Sequence, residues 1–112
     1  MRPKTPERPL EFIRDCLAQQ RIRWTHHVSM RLKQRLLSSD VLLRAAGSLE
    51  VIESYPDDKY LPSFLLRGDC DGQVFHAQVA TDVEGSNVRI VTMYVPSPLE
   101  WNEDYRIRRQ QS

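Results

Sequence analysis

The sequence contains no apolar run approaching the roughly 18–20 residues that a membrane-spanning helix needs. Its opening residues, through Glu7, lack the apolar stretch of a secretory signal. Cysteine is scarce: Cys16 and Cys70 lie far apart, without C-x-x-C spacing. In a chain without a signal they are expected to be reduced, semi-buried thiols, and they are too few for a four-ligand zinc site. There is no internal repeat and no low-complexity linker. Net charge is nearly absent as well, at +1, which argues against uniform electrostatic attraction to nucleic acid. These absences leave a soluble, cytoplasmic domain as the expectation.

What is present fills 112 residues, one domain's worth. A chain that is 40% hydrophobic and 28% charged is not a disordered one. The near-zero net charge conceals a segregation. Residues 1–35 carry nine basic and three acidic side chains, whereas residues 36–105 carry four basic and twelve acidic ones. The tail adds Arg106, Arg108 and Arg109 with no acid.

Periodicity divides the chain into a helical first half and a strand-rich second half. Thr5 and Pro6 read as a helix start, and Leu10, Ile13 and Leu17 fall at helical spacing up to about Gln20. The polar side of that helix, with Arg8, Glu11, Arg14 and Asp15, reads as a solvated face. Arg21–Trp24 reads as a link. A second helix is expected from Thr25 or His26 to about Leu36, and a third from Ser38–Asp40 to Gly47. From Leu49 the period becomes two. Candidate strands are Leu49–Ser54, Tyr60–Arg67, Val74–Thr81 and Val88–Val95, with Gly68–Gly72 as a hairpin loop. The expected fold is α+β: two to three N-terminal helices packed on a four-stranded antiparallel sheet. Residues 1–20 would be a helical extension, 21–109 the domain and 110–112 a frayed tail.

Chemistry concentrates in a few places. His27, Arg31 and Arg35 recur every four residues, so a helix projects them from one face, where a phosphodiester would relieve their mutual repulsion. The bland alternative is a basic face paired with the acidic half of the same molecule. On the third expected strand His76 faces away from the apolar Phe75, Ala77 and Val79, towards either a site or solvent. Thr92 and Tyr94 offer hydroxyls beside His76 if their strands are neighbours. Glu53, a carboxylate inside a strand, needs a partner, and Arg31 or Arg35 is the natural one. Asp57 and Asp58 are explained by turn chemistry. A metal site would have to combine His27, His76 and Glu53, and no H-x-x-x-H spacing supports one, so neither metal nor cofactor is expected. Trp101 and Tyr105 read as anchors of a terminal turn, with Arg108 in an Arg run able to reach phosphate.

Taken together, the motifs are His27-x-x-x-Arg31-x-x-x-Arg35, Val51-Ile52-Glu53-x-Tyr55-Pro56-Asp57-Asp58, Leu66-x-Gly68, His76, and Thr92-x-Tyr94-x-Pro96 with Trp101. In this order they resemble the bacterial domain of unknown function 4258 family over roughly residues 24–109. The resemblance implies a fold similar to RelE-like and barnase-like small ribonuclease toxins, with a zinc-finger antitoxin-like protein as the expected partner and RNA as the expected substrate. It implies site roles at His27, Arg31, Arg35, Glu53, Tyr55, His76, Thr92 and Tyr94, and offers none for residues 5–20. The expectation is a metal-independent endoribonuclease. His27, His76, Arg31 and Tyr94 would carry the chemistry, while Arg35, Thr92, Glu53, Tyr55 and Arg108 would hold substrate. The alternative is a non-catalytic interaction module in which both histidines are structural.

Overall fold

The computed structural model describes residues 3–24, 26, 28–30 and 38–109. The expected phosphate-binding stripe of His27, Arg31 and Arg35, and the tail 110–112, lie outside the described residues. Helix α1 (Pro9–Ala18) starts three residues later than the Thr5-Pro6 signal implies. Pro9 rather than Pro6 takes the first helical turn, where a missing N–H is harmless. Ile13, Cys16 and Leu17 are its buried stripe. Burial pushes the Cys16 thiol above its ordinary pKa, and neither cysteine is in a disulfide.

The end of α1 sets the path of the chain beyond it. Gln20 adopts a left-handed conformation (φ 58°). Gln20 N–H donates to the Leu17 carbonyl (3.2 Å) and Arg21 N–H to that of Cys16 (2.8 Å). This Schellman turn reverses the chain and lays Ile22–Trp24 alongside the sheet. The expected link is therefore strand β1. It pairs in parallel with the last strand, Ile22 opposite Val88 and Trp24 opposite Ile90. His26 and Val28–Met30 are helical, and Val28 is buried in the core. Helix α2 (Asp40–Arg44) and a 3₁₀ turn (Ala46–Ser48) complete the helical layer. Arg14 does not lie on a solvated face. Its Nε donates to the Ala46 carbonyl (2.9 Å) and its Nη2 to those of Gly47 (3.3 Å) and Leu49 (3.1 Å). It thus ties α1 to carbonyls that helix ends leave without partners.

The sheet has β2 (Glu50–Tyr55), β3 (Ser63–Cys70), β4 (Gln73–Asp82) and β5 (Asn87–Tyr94) in antiparallel succession. Its spatial order is β1-β5-β4-β3-β2. The class is α+β as expected, but the sheet is five-stranded and mixed rather than four-stranded and antiparallel. β5 lies inside it, between β1 and β4. The hairpin loop between β3 and β4 is also shorter than expected. Gly68–Cys70 belongs to β3, leaving Asp71 and Gly72, both at positive φ (53° and 87°), as a two-residue turn.

One contiguous core joins Ile13, Cys16 and Leu17, Val28, Leu42, and the inward residues Phe64, Leu66, Phe75, Ala77, Val79, Val88, Ile90 and Met93. This leaves the opposite, outer face of the sheet free of helices among the described residues. Gly68 sits opposite Phe75 in the β3–β4 ladder. A methyl group there would come within 2.5 Å of Phe75 Cζ, inside a ring that is fully buried. Gly68→Ala is therefore expected to destabilise the fold by about 1–3 kcal/mol, the usual range for overpacking. A thermal melt checks this, and a variant melting with wild-type protein would contradict it.

Candidate functional site on the outer sheet face

Two β-bulges decide which side chains reach the outer face. In β2, Val51 pairs with Leu66 and Glu53 with Leu65, so Ile52 is an extra residue. In β5, Ile90 pairs with Val79 and Thr92 with Gln78, so Val91 is extra. Each bulge shifts the alternation by one residue. Val88, Ile90 and Met93 consequently all point inward, although strict alternation would place Met93 on the other face. Glu50, Glu53 and Tyr55 all point outward, as do Thr92 and Tyr94. They join Ser63, Leu65 and Arg67 of β3 and His76, Gln78 and Ala80 of β4.

Residues after Pro96 fold back over one end of this face. Trp101 and Arg108 form an antiparallel bridge, and Trp101 is 1% exposed. The Asn102 side-chain carbonyl accepts from the N–H groups of Arg106 (3.1 Å) and Ile107 (3.2 Å). Tyr105 takes a left-handed conformation (φ 60°) at the tip. This presents its carbonyl to His76 Nε2 at 2.8 Å. A carbonyl only accepts, so Nε2 carries the proton and the neutral ring offers Nδ1 as acceptor. Tyr94 O–H lies 3.2 Å from Nδ1 and donates to it. The Trp101 ring stands edge-on to His76 at 4.4 Å and the Tyr94 ring at 5.3 Å. His76 is thus neither wet nor open to a ligand: it is fully buried, with half-buried Tyr94 bonded to its Nδ1. Burial holds its pKa below the ordinary 6.5, against the opposing pull of the Tyr105 carbonyl. Burial also raises Tyr94, which keeps the phenol protonated.

Among the described residues Glu53 is partnered by Arg108, and its expected partners Arg31 and Arg35 lie outside them. Arg108 Nε and Nη2 donate to the carboxylate at 2.8 and 3.1 Å, and Tyr55 O–H donates to it as well. Partial burial works against the Glu53 charge, but these bonds outweigh it and hold the carboxyl below its ordinary pKa. The Arg108 guanidinium lies 4.6 Å over the Trp101 ring. A continuous line of contacts therefore runs from Tyr55 through Glu53, Arg108, Trp101 and His76 to Tyr94. Thr92, opposite Gln78 on the same face, flanks it one ladder step away. Asp58 behaves as turn chemistry requires, accepting from Lys59 N–H (2.8 Å) and Ser63 O–H (2.6 Å).

Sequence reasoning missed a second cluster beside the first. Glu50 accepts from Arg106 Nη2 (2.7 Å) and Nε (3.1 Å) and lies 3.5 Å from Arg67. Arg67 Nε also donates to the Asp104 carbonyl (2.8 Å). The Arg106 hydrogen bonds hold the Glu50 carboxyl below its ordinary pKa. The pairing of Glu50 with Arg67 across β2 and β3 was the one available signal, and it required the register. Among the described residues no three potential ligands gather as a metal site would need. Both His76 nitrogens and both Glu53 oxygens are already engaged.

The lowered pKa values give a pH dependence with a definite sign. A group whose folded pKa is depressed binds fewer protons in the native state, so it contributes stability at high pH that is lost as pH falls. For His76 the loss begins as pH drops below 6.5. For Glu50 and Glu53 it begins below about 4.5. Urea denaturation from pH 8 to pH 4 is expected to show stability declining in two stages. His76→Gln should remove the upper stage. Constant stability between pH 7 and pH 5 would contradict the assignment.

No curated protein and no solved structure matches the chain. A family described as a domain of unknown function, DUF4258, matches residues 24–95. The match includes Glu53, Tyr55, His76, Thr92 and Tyr94, as well as His27, Arg31 and Arg35 outside the described residues. It excludes α1 and the folded-back segment that carries Trp101 and Arg108. With well over half of its length inside that match, this chain belongs to the DUF4258 family.

Proposed function

We propose that the protein is a metal-independent endoribonuclease, the toxin of a toxin–antitoxin pair, and that it cleaves single-stranded RNA on the outer face of its sheet. The observation that carries this reading is the convergence forced by the two bulges. A carboxylate, two phenols and a threonine hydroxyl share a face with a neutral buried imidazole and a guanidinium. The likeness to RelE-like and barnase-like ribonucleases expected from the sequence belongs to this reading. So does a zinc-finger antitoxin-like partner in the cytoplasm.

The chemistry is in-line transesterification. The Tyr94 oxygen takes the proton of a ribose 2′-OH while its own proton passes to His76 Nδ1, leaving an imidazolium that still donates to the Tyr105 carbonyl. The 2′-oxygen attacks phosphorus and the bond to the 5′-oxygen breaks, giving a 2′,3′-cyclic phosphate and a 5′-hydroxyl. Arg108, oriented by Glu53 and Tyr55, stabilises charge on the non-bridging oxygens, with Arg31 and Arg35 as further donors. Protonation of the leaving oxygen is assigned to His27. Thr92 supplies a hydrogen bond to the strand. His76 then acts through Tyr94 rather than on RNA directly.

Full burial of His76 favours one alternative, a non-catalytic interaction module in which this cluster only anchors the C-terminal segment. Tyr94→Phe separates the two, because it keeps the ring contact and removes the relay. Purified protein is expected to cut single-stranded RNA in the presence of EDTA and leave cyclic phosphate ends. Tyr94→Phe should lower the rate by about 10²-fold or more, as loss of general acid–base assistance does. Absence of RNA cleavage, together with unaffected growth on induced expression, would decide for the module.

A further inference from the structure

The β4–β5 ladder continues beyond the catalytic cluster. On its outer face the pairs run from His76–Tyr94 through Gln78–Thr92 to Ala80–Arg89. Four residues of strand place the last pair about 13 Å from the first, within reach of a neighbouring nucleotide on one strand. There the β2–β3 loop and the β4–β5 ladder border an open cavity of about 390 Å³ whose lining includes Asp58, Lys59, Tyr60, Leu61, Ala80 and Arg89. That size is in the range of small-ligand sites, roughly 300–1,000 Å³. Three features of the lining bear on what it holds. The Tyr60 ring is 75% exposed and packs on little of the protein. The ammonium of Lys59 lies 5.2 Å from that ring. Arg89 Nε is buried and meets no hydrogen-bond partner among the described residues. Arg89 Nη2 lies 3.8 Å from the Asp82 carboxylate, too far for a hydrogen bond. A buried guanidinium N–H without an acceptor is costly, and the Asp58 carboxylate, which also lines the cavity, does not bond to it.

We propose that this cavity binds one unpaired base of a single-stranded RNA, guanine in preference to adenine, beside the cleavage cluster on the same face. Tyr60 provides the stacking surface. The guanidinium of Arg89, a side chain that is 43% exposed, donates to the adjacent O6 and N7 acceptors that guanine presents, whereas adenine offers N7 next to a donor. Asp58, held by Ser63, which in turn accepts from Gln78 Nε2 (3.2 Å), fixes the loop that carries Tyr60. The inference rests on the ribonuclease reading for its substrate class, and binding tests it separately from cleavage.

The probes are GMP and AMP, titrated calorimetrically into the full chain, with circular dichroism as the check on folding. GMP is expected to bind more tightly than AMP. Tyr60→Ala, at an exposed position, should weaken GMP by about 5- to 100-fold, the range for losing one base–aromatic stack. Arg89→Lys keeps the charge but loses the fork, and should bring GMP and AMP to equal affinity. Equal binding of the two nucleotides to the wild type, or unchanged GMP affinity in folded Tyr60→Ala, overturns the proposal. If RNA is cut while these variants leave affinity and cleavage positions unaltered, the base site falls and the ribonuclease stands. If GMP binds as described and no RNA is cut, the reverse holds.

Discussion

A strand has a period of two, and that constraint governs everything on the outer face of this sheet. Residues 50, 53 and 55 cannot share a face of a regular strand, nor can residue 93 share one with 88 and 90. The bulges at Ile52 and Val91 remove both conflicts with one extra residue each. They let Val51 and Met93 stay with the core while Glu53, Tyr55, Thr92 and Tyr94 turn to the other side. A single residue more or less in either strand would put the carboxylate or the phenol into the apolar layer. The site is therefore a consequence of register, and register is set by the apolar residues on the helical side.

The segment beyond Pro96 depends on that same face. Its buried hydrophobic contribution is the ring of Trp101, seated against His76 and under Arg108. Its charges meet the acidic residues of β2: Arg106 on Glu50 and Arg108 on Glu53. These pairs are half-exposed, so each is worth little by itself. The contact that reaches the interior is the bond from the Tyr105 carbonyl to His76, whose fully buried ring is hard to charge. Docking of the segment and neutrality of His76 are thus coupled. Burial of the ring opposes its protonation, whereas the Tyr105 carbonyl favours it.

Much of this was legible in the sequence. Alternation placed the four antiparallel strands to within a few residues. The neighbourhood of His76, Thr92 and Tyr94 followed from strand order alone. β1 was not legible because three residues carry too little alternation to register; the left-handed Gln20 that creates it has no glycine to announce it. The role of Arg14 was hidden for a related reason, since its acceptors are backbone carbonyls far along the chain with no side-chain signature. The partner of Glu53 depended on a fold-back of the terminal segment that local pattern does not encode.

The small net charge acquires a specific meaning from these contacts. Two acids of the surplus, Glu50 and Glu53, and two arginines of the tail, Arg106 and Arg108, neutralise each other on the outer face. A polyanion approaching that face meets ion pairs, not a bare positive field, so long-range attraction is weak there. On the proposed ribonuclease reading, affinity for RNA would come from short-range terms: exchange of a carboxylate for a phosphate on an arginine, and stacking on exposed rings. Such terms are less sensitive to salt than counterion release from a dense array of lysines. They also make an acidic partner a competitor for the arginines only where it can displace Glu50 and Glu53. A partner that blocks this face therefore has to match its shape and hydrogen-bond pattern, because charge alone gives it little purchase.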